Sequence, residues 1–203
     1  MMSKFEELDM LKNDMEADAG LPFFGKANLV FGEGHPDAKV LFIGEAPGFY
    51  EDRERRPFVG RAGQLLNKML LDIGWRRESV YITNIVKRRP PENRDPEPTE
   101  IEAYKPYLKR QLAVIQPKII ATLGRFSMNY FLPKAKISLD HGKVADFSAK
   151  GGSASGGKKY PLVYILYHPA AALRSTSVLL EFEKDFKRLP ALLKRYERGS
   201  IKA

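Results

Sequence analysis

The chain has 203 residues, a net charge of +9 from 34 Lys and Arg against 25 Asp and Glu, and no cysteine. That length suits one domain with a core able to fold alone, and the absence of thiols excludes disulfides, thiolate metal sites and cysteine nucleophiles. No apolar run approaches the roughly 18 residues of a membrane span and charges run through Met1 to Asp18, so neither anchor nor signal peptide is expected; a cytoplasmic protein with a polyanionic partner, nucleic acid first, is.

Residues 4–16 predict an amphipathic helix, with Phe5, Leu8, Leu11 and Met15 at spacings of three and four. Leu29 to Gly34 predicts a short extended piece. From Val40 the pattern is regular: strand 40–43, helix 61–73, strand 80–86, helix 98–115, strand 118–123, helix 124–131, strand 161–167 and helix 177–195. Short all-apolar strands alternating with helices predict a three-layer α/β sandwich whose central, mostly parallel sheet of four strands is covered on both faces. Lys87 to Pro98 holds four prolines among charges and must be a loop. The glycine- and serine-rich stretch 148–159 predicts a flexible surface loop. The expected organisation is a helical segment 1–28 packed on a domain 29–196, then a flexible tail 197–203.

Two strands run straight into turns that carry one ionisable residue each. Val40-Leu41-Phe42-Ile43 leads to Gly44-Glu45-Ala46-Pro47-Gly48, and Leu162 to Tyr167 leads to His168-Pro169-Ala170-Ala171-Ala172-Leu173-Arg174. Residues beyond the carboxyl ends of parallel strands converge on one crevice, so Glu45 and His168 are candidate partners in an active site.

These two segments, together with Glu51-Asp52, Arg56-Pro57-Phe58-Val59-Gly60, Asn84-Ile85-Val86-Lys87, Arg89-Pro90-Pro91, Asn93-Arg94, Leu123-Gly124 and His141-Gly142, resemble the uracil-DNA glycosylase superfamily, its family 4 branch in particular. The resemblance runs from Leu29 to about Leu193. It implies hydrolysis of the bond between uracil and deoxyribose in DNA, on a nucleotide flipped into a pocket that stacks its face and reads its edge. Phe58 is then the stacking shelf. The Asn84 carboxamide offers a donor and an acceptor side by side, matching O4 and N3–H of uracil and mismatching cytosine. A neutral His168 would donate to uracil O2 as charge grows there. Glu45 would hold or activate the attacking water or stabilise the sugar cation, with Glu51 and Asp52 as alternatives or as helix caps. Ala46, an expected substrate contact, stands where family 1 places its catalytic aspartate, so the acid is displaced by one residue. Lys87, Arg89, Arg94 and Arg174 would meet phosphates, and Leu173 would wedge into the gap left by the flipped base. His141 is expected to support the fold and His35 to lie at the surface.

Family 4 members typically hold an iron–sulfur cluster through four cysteines. Here the last two positions read Arg88 and Tyr104, and the first pair is replaced within Met15 to Phe24. No metal or other cofactor is therefore expected; Phe23, Phe24 and Tyr104 are expected to fill the space, with Arg88 meeting a local acid or turning outward. The chain is expected to act as a monomer. Two other readings stay open: a DNA-binding superfamily member without hydrolysis, and, more distantly, a nucleotide or sugar-phosphate enzyme. Against the latter, no glycine-rich phosphate loop occurs at a strand-to-helix turn. A covalent trap through histidine is also disfavoured, since none lies between His35 and His141.

Overall fold

A computed structural model describes residues 2–146 and 161–200. The expected loop at 148–159 and the end of the tail lie outside the described residues. In chain order the elements are α1 (Lys4–Ala17), β1 (Glu33–Gly34), β2 (Val40–Gly44), α2 (Phe49–Glu54), α3 (Arg61–Asp72), β3 (Tyr81–Asn84), α4 (Pro98–Ile115), β4 (Ile119–Leu123), α5 (Arg125–Phe131), α6 (Ile137–Asp140), β5 (Val144–Asp146), β6 (Leu162–Leu166), α7 (Pro169–Ala172), α8 (Thr176–Phe186) and α9 (Leu189–Glu197).

The sheet has six strands rather than the expected four, in the order β1-β3-β2-β4-β6-β5. The inner four are parallel; β1 and β5 add antiparallel edges. These edges are two and three residues long, too short to leave a periodic signal. Successive side chains of a strand point to opposite faces, and the two faces of this sheet feed two separate cores. Val40, Phe42, Ile82, Ile119 and Ala121 pack with Leu66 and Met69 of α3 and Phe182 and Phe186 of α8. Their neighbours Leu41, Ile43, Tyr81, Ile120 and Val163 pack with Leu8, Leu11 and Met15 of α1 and Tyr104 and Leu108 of α4. The four inner strands are buried at every position, which is why apolar residues dominate them, with Thr83, Asn84 and Thr122 the polar exceptions.

Local chemistry sets the helix ends. Ser3 and Glu6 form a reciprocal capping box at the start of α1, and Glu97 and Glu100 do the same for α4, with Pro98 at its first position. The single helix expected over 177–195 is two. Pro190 has no N–H to give the Phe186 carbonyl and its ring crowds that turn, so α8 stops and α9 restarts.

Candidate active site

The carboxyl ends of the four parallel strands open on one cavity of about 540 Å³. Strand β2 delivers Glu45 and Ala46, β3 delivers Asn84, β4 leads to Gly124, and β6 delivers His168; all of them line the cavity, with Phe58 from the α2–α3 connection. Gly44 pairs with Asn84 in the sheet register. A Cβ on Gly44 would stand 2.4 Å from Asn84 Oδ1 and 2.5 Å from Phe58 Cζ, so glycine is what lets the amide and the ring sit side by side. Gly124 has φ +91°, and a Cβ there would press within 2.9 Å of His168 Cβ.

The Phe58 backbone is in the left-handed region, φ 52°, a costly conformation for a bulky residue that neighbouring bonds must impose. They do. Glu51 Oε1 accepts from the Val59 and Gly60 N–H groups at 2.9 and 2.8 Å, and Arg77 donates to the Pro57 carbonyl at 2.5 Å. The Phe58 ring is buried and lies 5.7 Å from the His168 ring, tilted by 32°.

Asn84 is 1% exposed, yet its Oδ1 accepts no hydrogen bond among the described residues. His168 is oriented by its own turn, the Ala170 N–H donating to Nδ1 at 3.1 Å. Nδ1 is thus the acceptor, and the proton of the neutral ring belongs on Nε2. Burial, helped by the Arg174 cation, lowers the His168 pKa to about 4, so the ring is neutral at neutral pH. Glu45 shifts the opposite way: burial, reinforced by the Asp95 carboxylate and opposed by Arg125, raises its pKa to about 7. Two titratable groups in one cavity are therefore held with an ionising acid and a proton-donating neutral imidazole available together near pH 7.

The remaining sequence-predicted residues divide. Arg94 and Arg174 line the cavity, although the Arg94 guanidinium is held in a fork by Glu100 at 3.0 and 2.6 Å. Leu173, 41% exposed, stands beside Arg174. Arg89 lies outside the cavity lining; it donates to Asn93 Oδ1 and covers the Phe49 ring. Lys87 does not reach the surface at all. Fully buried, it donates to Thr83 Oγ1 at 2.5 Å and Gln111 Oε1 at 2.6 Å, so it cannot be a phosphate contact; burial holds its pKa well below the ordinary lysine range. Asp52 neither caps a helix nor enters the cavity lining: it binds the Asn28 backbone N–H at 2.7 Å. Glu51 lines the cavity and serves the Phe58 loop. His141 pairs with Asp185 at 2.7 Å and packs on Tyr167, and exposed His35 orders its own turn by accepting from the Asp37 N–H.

Sequence reasoning missed Asp95 and Arg125, an ion pair lining the cavity. Asp95 sits in the proline-rich loop and Arg125 opens α5; no spacing rule joins them, because only the fold does. Around the positions where the resemblance would place cysteines, the residues present do not fit an iron–sulfur cluster. Tyr104 is fully buried with its hydroxyl donating to the Pro22 carbonyl at 2.6 Å. The Arg88 side chain is 3% exposed, 3.8 Å from Glu16 and over the Phe24 ring, so it meets a local acid. Phe24 does not fill the core as expected: it is 41% exposed.

Residues 31–194 match the model of the Uracil DNA glycosylase superfamily. The chain is 46% identical over 175 residues to the type-4 uracil-DNA glycosylase of Sulfurisphaera tokodaii, covering 84% of this chain and 79% of that protein. It is 46% identical over 172 residues to the type-4 enzyme of Archaeoglobus fulgidus, covering 82% and 83%. For the type-4 enzyme of Saccharolobus solfataricus the identity is 44% over 174 residues, covering 83% and 77%. A match across most of the chain, on a fold whose strand ends gather the expected residues, makes this protein a member of the uracil-DNA glycosylase superfamily.

Proposed function

We propose that this protein removes uracil from DNA by hydrolysing its N-glycosidic bond, leaving an abasic site. The observation that carries this reading is the Asn84 Oδ1, unpartnered among the described residues and buried in the same cavity as the neutral His168. A buried acceptor without a partner costs on the order of 1 to 3 kcal/mol, which a ligand N–H placed there would recover. The uracil N3–H is such a donor, and Nδ2 of the same amide would meet O4. Cytosine presents an acceptor at N3 and a donor at its amino group, so the fixed amide rejects it.

In this mechanism Phe58 stacks on the flipped base and the C1′–N1 bond lengthens toward an oxocarbenium-like sugar and a uracil anion. His168 Nε2–H donates to O2, where the charge gathers, and so favours the transition state over the ground state. Glu45 as carboxylate orients the water that attacks C1′ and takes its proton. Ala46 adds no charge beside it, which leaves Glu45 as the acid at this turn. Arg94 and Arg174 lie where phosphates flanking the flipped nucleotide would pass, and Leu173 is exposed enough to enter the gap left in the stack. No step needs a metal. Among the described residues no helix is long and apolar enough to cross a membrane, and we place the protein in the cytoplasm, acting as a monomer on DNA. The test is base release from a uracil-containing oligonucleotide in chelator: free uracil and an alkali-labile abasic site are expected, whereas tight binding without release would favour a non-hydrolytic member of the superfamily.

A further inference from the structure

Phe49 and Tyr50 are each 51% exposed and meet edge to face, ring centroids 5.4 Å apart, at the start of α2. In the chain they lie between Gly48 and Glu51, both lining the cavity. Arg89 covers the Phe49 ring at 5.2 Å while donating to Asn93, another lining residue, at 2.7 Å. Arg53 covers the Tyr50 ring at 5.5 Å. Adjacent exposed aromatics are unusual on a protein surface; a pair carrying two arginines, next to residues that line a cavity, is what an unpaired, polyanionic strand requires, rings for the base faces and cations for the phosphates.

We infer that Phe49 and Tyr50 form a stacking shelf for the base next to the flipped uracil in single-stranded DNA, with Arg53 and Arg89 meeting the flanking phosphates. This rests on the reading of the cavity as a uracil pocket and adds a substrate class to it. A neighbour in a duplex is already paired and stacked, so the shelf stabilises only the single-stranded complex.

The test measures affinity for a single strand carrying one 2′-fluorinated uridine, whose glycosidic bond resists hydrolysis. Its 5′ or its 3′ neighbour is either a normal nucleotide or an abasic tetrahydrofuran residue. Phe49→Ala and Tyr50→Ala should each weaken binding to the normal strand roughly tenfold. On one of the two abasic strands the same substitutions should change nothing further, because ring and base remove the same contact. In a duplex the losses should stay under about twofold. Phe49→Trp should bind at least as well as the parent and Phe49→Leu should not, which separates stacking from apolar area. Both residues are exposed, so thermal melts of the variants should match the parent. Losses that are equal with and without the neighbouring base on both sides, or equal in single strand and duplex, would overturn the shelf, as would no loss at all. The readout is affinity, so a parent that binds this strand yet releases no uracil from the matching strand with ordinary deoxyuridine contradicts the cavity reading alone.

Discussion

Asn84 and Lys87 lie at and just past the end of β3, both buried, in side chains that sequence reasoning treats as polar. Lys87 is answered from within. Its amine has two acceptors, Thr83 Oγ1 and Gln111 Oε1, and these are themselves engaged: Thr83 donates to the Phe31 carbonyl at 2.8 Å and Gln111 donates to the same oxygen at 3.0 Å. Two N–H groups for two acceptors suit the neutral amine that burial favours. Asn84 Oδ1 has no such answer among the described residues, and it faces a cavity instead of a core. On the proposed reading, equal burial separates into structure on one side of the strand end and recognition on the other; what distinguishes them is whether the protein supplies the partner.

The largest effect that would sharpen this contrast belongs to His168. His168→Ala should slow single-turnover uracil release about 100-fold or more, with DNA affinity nearly unchanged, because the proposed bond to O2 would strengthen only in the transition state. Parallel loss of affinity and rate would assign His168 to the DNA surface or to the fold.

Glu45 should give a smaller, pH-dependent effect. Its folded pKa is raised from 4.5 to about 7, so the rate should climb as pH rises through that value and the carboxylate forms. In Glu45→Gln the rate should be lower and this acidic limb absent. Stability carries the opposite sign. The unfolded chain releases the Glu45 proton near pH 4.5 and the folded chain only near 7, so stability falls as pH rises across that window, a fall the glutamine variant should lack. A rate profile unchanged in Glu45→Gln would remove the carboxylate from the chemistry.

The smallest effect concerns salt. Arg174→Ala should weaken DNA binding and lower the slope of log affinity against log salt by about 1, while Lys87→Met should leave that slope unchanged. A salt effect from Lys87→Met would mean that the buried amine reaches the DNA after all.

The order of strands and helices was legible because the inner strands are buried throughout and mostly apolar; Glu45 and His168 were legible because they follow such strands, and Asn84 through the resemblance to the superfamily, since the expected strand 80–86 ran past it. Phe58 could be picked out as a large ring in a proline-flanked loop. The edge strands were not legible, since two or three residues carry no period. The break between α8 and α9 did carry a signal, Pro190, across which the expected helix 177–195 ran. Lys87 was misread because a lysine beside Arg88, Arg89 and Pro90 has the composition of a solvated loop; its acceptors come from Thr83 on the preceding strand and Gln111 on α4, and the second of these is joined to it only by the fold. The Asp95–Arg125 pair escaped for the same reason.

The most direct measurement sets the two strand-end residues against each other, taking uracil excision and unfolding free energy from the same preparations of Asn84→Ala and Lys87→Ala. Asn84→Ala should lose about 100-fold in single-turnover excision while its stability stays within about 1 kcal/mol of the parent, since the group removed has no partner on its oxygen to lose. Lys87→Ala should lose about 3 kcal/mol, from the cavity and from the stranded Thr83 and Gln111 acceptors, yet excise uracil at near the parental rate where it is folded. Stability lost in Asn84→Ala as heavily as in Lys87→Ala, with excision intact, would contradict the assignment of Asn84 to uracil.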